Sequence, residues 1–144
     1  MSFSSYFTNK KGGDHIFSVE APKIKFGRGS LNEIGDDAMA LKMTRAAVFT
    51  DPKVAKLEPV SIVVESLNSK GIDTKIYDQV AIEPTDISFK QGSKFASDGK
   101  FDGFVSVGGG SVMDTCKASN LYSSYPADFL DYVNAPIGKA KEVP

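Results

Sequence analysis

Three consecutive glycines, Gly108, Gly109 and Gly110, separate an apolar run from a segment of helical character. Residues 104–107 predict a buried strand that ends at the glycines, and residues 111–122 predict the helix after them. Because glycine has no Cβ atom, its backbone can approach a phosphate closely. Free amides at a helix start, together with the helix dipole, favour an anion there. The motif therefore predicts a site for a phosphate-containing ligand.

Two polar residues follow the glycines. Ser111 can donate a hydroxyl hydrogen bond to an anion or cap the helix, and Asp114 either holds the glycine loop or complements the helix dipole. The motif is neither Gly-x-Gly-x-x-Gly nor a P-loop, and the missing Gly-Lys-Ser/Thr disfavours phosphoryl transfer. A tight turn without a ligand is the alternative, although one glycine would be enough for such a turn.

A second candidate, Asp51, follows the apolar run 46–50. Its carboxylate could accept hydrogen bonds from a ribose diol and would repel a 2′-phosphate, which favours NAD over NADP. A turn-forming role before Pro52 is the alternative. Cys116 is predicted to be a packed side chain rather than a nucleophile. His15, the single histidine, is predicted to lie at the surface.

The elements that must position these residues alternate along the chain. Strands are predicted at 24–26, 46–50, 74–77 and 104–107, and helices at 30–42, 60–68, 86–97 and 111–122. Ser30 with Glu33 predicts a capping box, Asp86 a helix cap, and Gly71 and Gly99 helix ends. This order predicts an α/β fold with a parallel sheet covered on both faces. Ligands bind beyond the carboxyl ends of such strands, where Asp51 and the glycines fall.

Composition restricts the function classes. The 144 residues are 41% hydrophobic and 24% charged, which is typical of one globular domain. The 17 basic and 18 acidic residues give a net charge of −1, so no basic field predicts nucleic acid or a membrane surface as partner. The single cysteine excludes an internal disulfide and a multi-cysteine metal site. No apolar run approaches the ~20 residues of a membrane span.

The chain divides into a polar N-terminal tail, residues 1–16, and a nucleotide-binding domain, residues 17–144. Residues 1–13 contain no acidic residue, which is faintly typical of a mitochondrial presequence, but they also lack arginine. A frayed polar tail is the interpretation that the pattern favours.

A family resemblance rests on several of these segments. Residues 108–118 resemble the cofactor-loop signature of the iron-containing (group III) alcohol dehydrogenase family. Residues 26–29 and the helix after them are similar to that family's N-terminal segment. Thr50-Asp51 resembles its ribose-contacting strand end, and Glu83 belongs to a Glu-Pro-Thr loop similar to the one near the adenine. Residues 128–139 are similar to a transhydrogenase branch of the family.

The resemblance implies a Rossmann-like NAD-binding domain that is incomplete here, with the helical C-terminal domain absent. It assigns no catalytic or metal-binding residue to this chain. Its cofactor-binding assignments are Asp51, Glu83, Gly108, Gly109, Gly110, Ser111 and Asp114.

The same resemblance implies a reaction on small hydroxyacid and oxoacid substrates. Hydride would pass from 4-hydroxybutyrate to tightly held NAD and then to 2-oxoglutarate, in the mitochondrion or alternatively the cytoplasm. A divalent iron or zinc, held by an aspartate and three histidines of the C-terminal domain, would act as a Lewis acid. A homo-oligomer is left open. We expect the chain alone to be inactive, metal-free and marginally folded, with residues 128–144 frayed.

Three interpretations remain open from the sequence. The chain is part of a transhydrogenase, part of an NAD-dependent, metal-containing alcohol dehydrogenase, or a stand-alone nucleotide-binding module. Dependence on external NAD would separate the first two.

Overall fold

The computed structural model describes residues 22–143. The predicted polar tail and His15 lie outside the described residues. Three parallel strands, β1 (Arg45–Phe49), β2 (Asp73–Tyr77) and β3 (Gly103–Ser106), form a sheet in the order β2-β1-β3. The helices are α1 (Ile34–Ala40), α2 (Glu58–Ser69), α3 (Asp86–Gly99) and α4 (Gly110–Ser124). The predicted α/β fold with a parallel sheet is confirmed.

The central strand β1 explains why residues 46–50 read as a continuous apolar run. Each of its last four residues is fully buried, because helices cover both faces of the sheet. Alternate side chains point to opposite faces. One cluster, on the side of α1 and α2, contains Ala38, Ala46, Val48, Val63, Leu67 and Ile72. The other, on the side of α3 and α4, contains Ala47, Phe49, Tyr77, Val80, Val112 and Cys116.

Two predictions near the start of the described chain are wrong. Residues 24–26 form no strand, and Phe26 is fully exposed. Ser30 caps no helix, because Gly29 adopts a left-handed conformation (φ 85°) and starts a 3₁₀ turn at Ser30–Glu33. Ser30 therefore lies inside that turn, and α1 begins at Ile34 without a side-chain cap.

The ends of the other helices follow the predictions only partly. Gly71 has the predicted left-handed conformation after α2, with φ 78°. Helix α3 is capped by Thr85 instead of Asp86, through a reciprocal capping box with Ser88. Its last residue is Gly99, but Lys100 rather than Gly99 is the left-handed residue that ends it.

The segment after α4 makes specific contacts, although the sequence predicts that residues 128–143 have nothing to pack against; their fraying stays a prediction. The carboxylate of Asp131 is nearly buried and accepts 2.7 Å hydrogen bonds from the ammonium groups of Lys139 and Lys141. These two contacts hold the pKa of Asp131 below its usual value. Tyr122 donates its hydroxyl proton to the Phe129 carbonyl, and the two rings stack at 5.3 Å.

Candidate functional site

The strand order creates a crevice at the carboxyl end of the sheet. The connection from β1 leads to β2 on one side, and the connection from β2 returns across β1 to β3 on the other. The carboxyl ends of β1 and β3 are therefore the topological switch point, where ligands bind in open α/β sheets. A cavity of about 130 Å³ lies there, lined by Asp51, Val80, Ala81, Ile82, Gly109, Gly110, Ser111 and Val112.

The three glycines of the loop have different structural reasons to be glycine. A Cβ at Gly108 would lie 2.6 Å from Cγ2 of Val112, so only glycine allows the loop to pack on α4. A Cβ at Gly109 or Gly110 would meet no atom within 4 Å. These two residues face open space, so their backbone can be approached by a ligand.

The start of α4 presents free backbone donors. Gly109 is the N-cap residue, and no side chain caps the helix. The amides of Val112 and Met113 both donate to the Gly109 carbonyl at 3.1 Å. The amides of Gly110 and Ser111 have no acceptor within residues 22–143. Unpaired amides at the positive end of a helix dipole form an anion-binding site.

Asp51 has the turn-forming role that was the alternative for it, and its second oxygen leaves the ribose contact as a prediction. Its Oδ1 accepts hydrogen bonds from the amides of Lys53 at 2.8 Å and Val54 at 3.0 Å, which stabilises the turn after β1. Its Oδ2 has no donor among the described residues. The half-buried carboxylate thus lines the cavity with one oxygen held by the turn and one available to a ligand.

The loop after β2 contacts the glycine loop through Glu83. This residue has a left-handed backbone (φ 56°), and its amide donates a long 3.4 Å hydrogen bond to Oγ of Ser111. Since Oγ accepts there, the hydroxyl proton of Ser111 is free to donate to an anion. Thr115 fixes the same residue by donating its hydroxyl to the Ser111 carbonyl at 2.8 Å.

Three predicted site residues, Glu83, Gly108 and Asp114, do not line the cavity. Of these, Asp114 is exposed on α4, and its carboxylate also makes no hydrogen bond to the glycine loop in the part of the chain that the structure describes. The first turn of α4 contains no acidic residue, and Asp114 follows it, so its position gives little support to the dipole alternative either.

The sequence indicated the strand end Thr50-Asp51, but it assigned a cofactor contact to Asp51 and none to Thr50. Thr50 is fully buried, and its hydroxyl donates to the Val107 carbonyl at 2.8 Å, which joins the ends of β1 and β3. The available signal was that Thr50 is the one polar residue in the run 46–50.

Other chemistry has little support in the described residues. They include no group of three or more His, Cys, Asp or Glu side chains that could hold a metal ion. Burial raises the pKa of the Cys116 thiol to about 11, so it is neutral near pH 7 and serves as a packed side chain. Within residues 22–143, no helix is long and apolar enough to cross a membrane.

The sequence model described as "Iron-containing alcohol dehydrogenase" matches residues 21–144. The chain belongs to the iron-containing alcohol dehydrogenase family. The chain is similar to the mitochondrial hydroxyacid-oxoacid transhydrogenase of Bos taurus, with 48% identity over 134 residues. The matched region covers 92% of this chain and 29% of that relative. The Xenopus laevis protein of the same name is 50% identical over 131 residues, with shares of 90% and 28%.

Solved structures of iron-containing alcohol dehydrogenases share the fold. The crystal structure of NADH-dependent butanol dehydrogenase A from Thermotoga maritima has a TM-score of 0.73 and 28% identity, over 81% of this chain and 30% of that one. This chain therefore spans less than a third of the length of the relatives it matches. The described residues form the α/β unit alone, without a separate helical domain.

Proposed function

We propose that the loop of Gly108, Gly109, Gly110 and Ser111 binds the pyrophosphate of NAD. The observation that carries this proposal is the pair of unpaired amides, Gly110 and Ser111, at the start of α4. They lie beside two glycines that leave open space for the ligand. The position at the switch point supports the same ligand, as does the similarity to a butanol dehydrogenase of Thermotoga maritima that is NADH-dependent.

The residues around this loop make different contributions to the proposed site. Gly108 holds the turn, and Ser111 donates its hydroxyl proton to a phosphate oxygen. Asp51 accepts hydrogen bonds from a ribose diol through Oδ2. Glu83 closes the adenine side through its contact with Ser111, and Asp114 lies further along α4 without a contact to the bound cofactor. The nicotinamide supplies the hydride acceptor and donor.

We further propose that the whole protein is a hydroxyacid-oxoacid transhydrogenase of the mitochondrion. In this reaction 4-hydroxybutyrate loses a hydride and a proton to give succinate semialdehyde, and 2-oxoglutarate gains both to give 2-hydroxyglutarate. The support is the 45–50% identity to proteins of that name. The described residues provide no ligand set for iron or zinc, so we assign no step of the reaction to a metal held by this segment.

A second candidate is an NAD-dependent alcohol dehydrogenase. It is favoured by the similarity to NADH-dependent butanol dehydrogenase A, whose fold matches 81% of this chain. The two candidates use the same cofactor site and differ in whether the reduced cofactor is released after one half-reaction.

The test uses the protein at its full natural length. The purified protein is incubated with 4-hydroxybutyrate and 2-oxoglutarate without added NAD, and 2-hydroxyglutarate is measured. A transhydrogenase forms it without external NAD. A dehydrogenase requires NAD and releases NADH when only the alcohol is present. Failure of both reactions, together with no NAD binding by calorimetry after nucleotide removal on charcoal, would overturn the proposed function.

A further inference from the structure

Thr50 occupies the point where the central strand leaves the sheet. Its side chain is fully buried. Its amide donates to the Tyr77 carbonyl at 2.9 Å, and its carbonyl accepts from the Val80 amide at 3.3 Å. The backbone of Thr50 is therefore fixed on the β2 side, and its hydroxyl is directed to the opposite neighbour, Val107, at 2.8 Å.

This hydroxyl replaces a backbone donor of the sheet. The β1–β3 ladder ends with the Val107 amide donating to the Phe49 carbonyl at 2.9 Å. If the parallel ladder continued, the Asp51 amide would donate next to the Val107 carbonyl. The Thr50 hydroxyl makes that bond instead. Asp51 is thereby free to leave the sheet and form its own turn with Lys53 and Val54.

We propose that Thr50 is a positioning residue for NAD. Its hydroxyl fixes the Val107 carbonyl, which belongs to the peptide group directly before Gly108. It therefore sets the direction in which the glycine loop leaves β3, relative to Asp51. One hydroxyl thus holds the proposed pyrophosphate and ribose contacts at a fixed separation. The inference rests on the proposed NAD site.

A purely structural role makes a different prediction. Removing the hydroxyl leaves a carbonyl unpaired in a part-buried position, which lowers stability whatever the ligand. If Thr50 only stabilises the sheet, the folded variant binds NAD as the wild type does. If it positions the loop, the folded variant also binds NAD more weakly, because the unpaired carbonyl is free to turn towards other donors and to move the loop amides with it.

The experiment compares Thr50→Val, which keeps the shape and loses the hydroxyl, with Thr50→Ser, which keeps the hydroxyl. The full-length protein is stripped of nucleotide, and NAD affinity and melting temperature are measured for each variant. We expect the NAD Kd to rise about 10-fold or more in Thr50→Val, because the loop amides and Asp51 are no longer held at the separation that the ligand needs. We expect Thr50→Ser to remain within about threefold of the wild type.

Ser66→Ala is the matched control. Ser66 Oγ is also largely buried and bonds two backbone groups, the Asn32 carbonyl at 2.7 Å and the Gly35 amide at 3.0 Å. These contacts join α2 to α1, away from the glycine loop. The control should lower the melting temperature and leave the NAD Kd unchanged.

The outcomes separate this inference from the proposed function. If the wild type binds NAD and folded Thr50→Val binds it equally well, the positioning role is overturned and the NAD site stands. If the stripped wild type does not bind NAD, both fail. If Thr50→Val does not fold, Thr50→Cys takes its place, because a thiol is a weak donor of similar size. It should then bind NAD more weakly than Thr50→Ser, and equal affinity of these two would contradict the proposal.

Discussion

An aspartate lies at each end of the parallel strands: one at their amino ends, here called the amino edge, and one at their carboxyl ends, the carboxyl edge. The two side chains have different hydrogen-bond partners. At the amino edge, Asp102 precedes β3 and accepts hydrogen bonds from the Arg45 amide at 2.8 Å and from the amide and hydroxyl of Thr44. At the carboxyl edge, Asp51 accepts protein hydrogen bonds at Oδ1 alone among the described contacts. One edge satisfies its polar groups internally, whereas the other leaves donors and an acceptor for a ligand.

The charges of the amino edge support this contrast. The Thr44 hydroxyl and the Arg45 amide hold the pKa of Asp102 below its usual value. The Arg45 side chain donates to the Gly99 carbonyl at 2.9 Å, forms an ion pair with Asp73 and lies 5.5 Å from the centre of the Phe101 ring. The amino edge is therefore a structural cluster, and substitutions there should affect folding rather than binding.

The largest expected effect is on NAD binding in Gly109→Val. A side chain at this position enters the open space that the proposed pyrophosphate occupies, and nothing in the described protein lies within 4 Å of its Cβ. We expect NAD affinity to fall at least about 100-fold, equivalent to about 2.7 kcal/mol. The melting temperature should stay within about 2 °C of the wild type, since no packing is lost.

Gly108→Ala is the contrasting variant on the same loop. Its Cβ would lie 2.6 Å from Val112, so this substitution should lower the melting temperature. Unchanged NAD affinity in folded Gly109→Val, measured by calorimetry, would mean that the loop is only a turn.

The next effect is on cofactor preference in Asp51→Ser. A carboxylate near a 2′-phosphate costs roughly 1–3 kcal/mol at the effective dielectric of a partly buried site. Removing the carboxylate should lower the ratio of NAD affinity to NADP affinity by about one to two orders of magnitude. The hydroxyl oxygen of serine can accept hydrogen bonds from the amides of Lys53 and Val54, so the turn is retained. If the ratio does not move, Asp51 is only a turn residue.

Asp102→Asn tests the other edge of the sheet. An amide offers one acceptor oxygen, and its NH₂ group faces donors, so the contacts with Thr44 and Arg45 are partly lost. We expect the melting temperature at pH 7 to fall by about 3–8 °C with unchanged NAD affinity. A fall in NAD affinity in the folded variant would contradict the separation of the two edges.

The pH dependence of this effect has a fixed sign. The pKa of Asp102 is lower in the folded protein than its usual value, which also applies to the unfolded chain. Its stabilising contribution is therefore complete well above the unfolded pKa of about 3.9 and is lost as the pH falls through the folded pKa. The difference in melting temperature between wild type and Asp102→Asn should shrink on acidification below about pH 4.

The smallest effect is expected between α3 and α4, away from both edges. The buried hydroxyl of Ser119 has no hydrogen-bond partner within residues 22–143. Ser119→Ala removes an unpaired polar group, so the free energy of unfolding should stay the same or rise by up to about 1 kcal/mol. Gly92→Ala is the opposite case, because its Cβ would lie 2.6 Å from that hydroxyl oxygen. A clear loss of stability in Ser119→Ala, measured by denaturant unfolding, would show that the hydroxyl is paired.

The carboxyl edge could be located from the sequence because its elements follow a simple order. Buried runs ending at Asp51 and at the glycines, with helices between them, meet at one edge of a parallel sheet. The Thr50 hydroxyl bond was not predictable, because it joins residues 57 positions apart and depends on the register of β1 and β3. The contact between Asp102 and the Arg45 amide was not predictable for the same reason, because it also joins residues 57 positions apart.

Local signals failed where two neighbouring residues could serve equally well. Thr85 and Asp86 are both good helix caps, and only the structure shows that Thr85 forms the box with Ser88. The contacts of the last segment were not predicted, because Asp131 pairs with lysines eight and ten residues further along.

A crystal structure of the full-length protein with bound NAD would show whether the glycine loop and Asp51 hold the cofactor. We expect pyrophosphate oxygens about 2.9 Å from the amides of Gly110 and Ser111, with a ribose hydroxyl on Oδ2 of Asp51. The contacts of Asp102 with Thr44 and Arg45 should be the same with and without the ligand. NAD bound elsewhere, with the amides at the start of α4 facing only water, would contradict the proposed cofactor site.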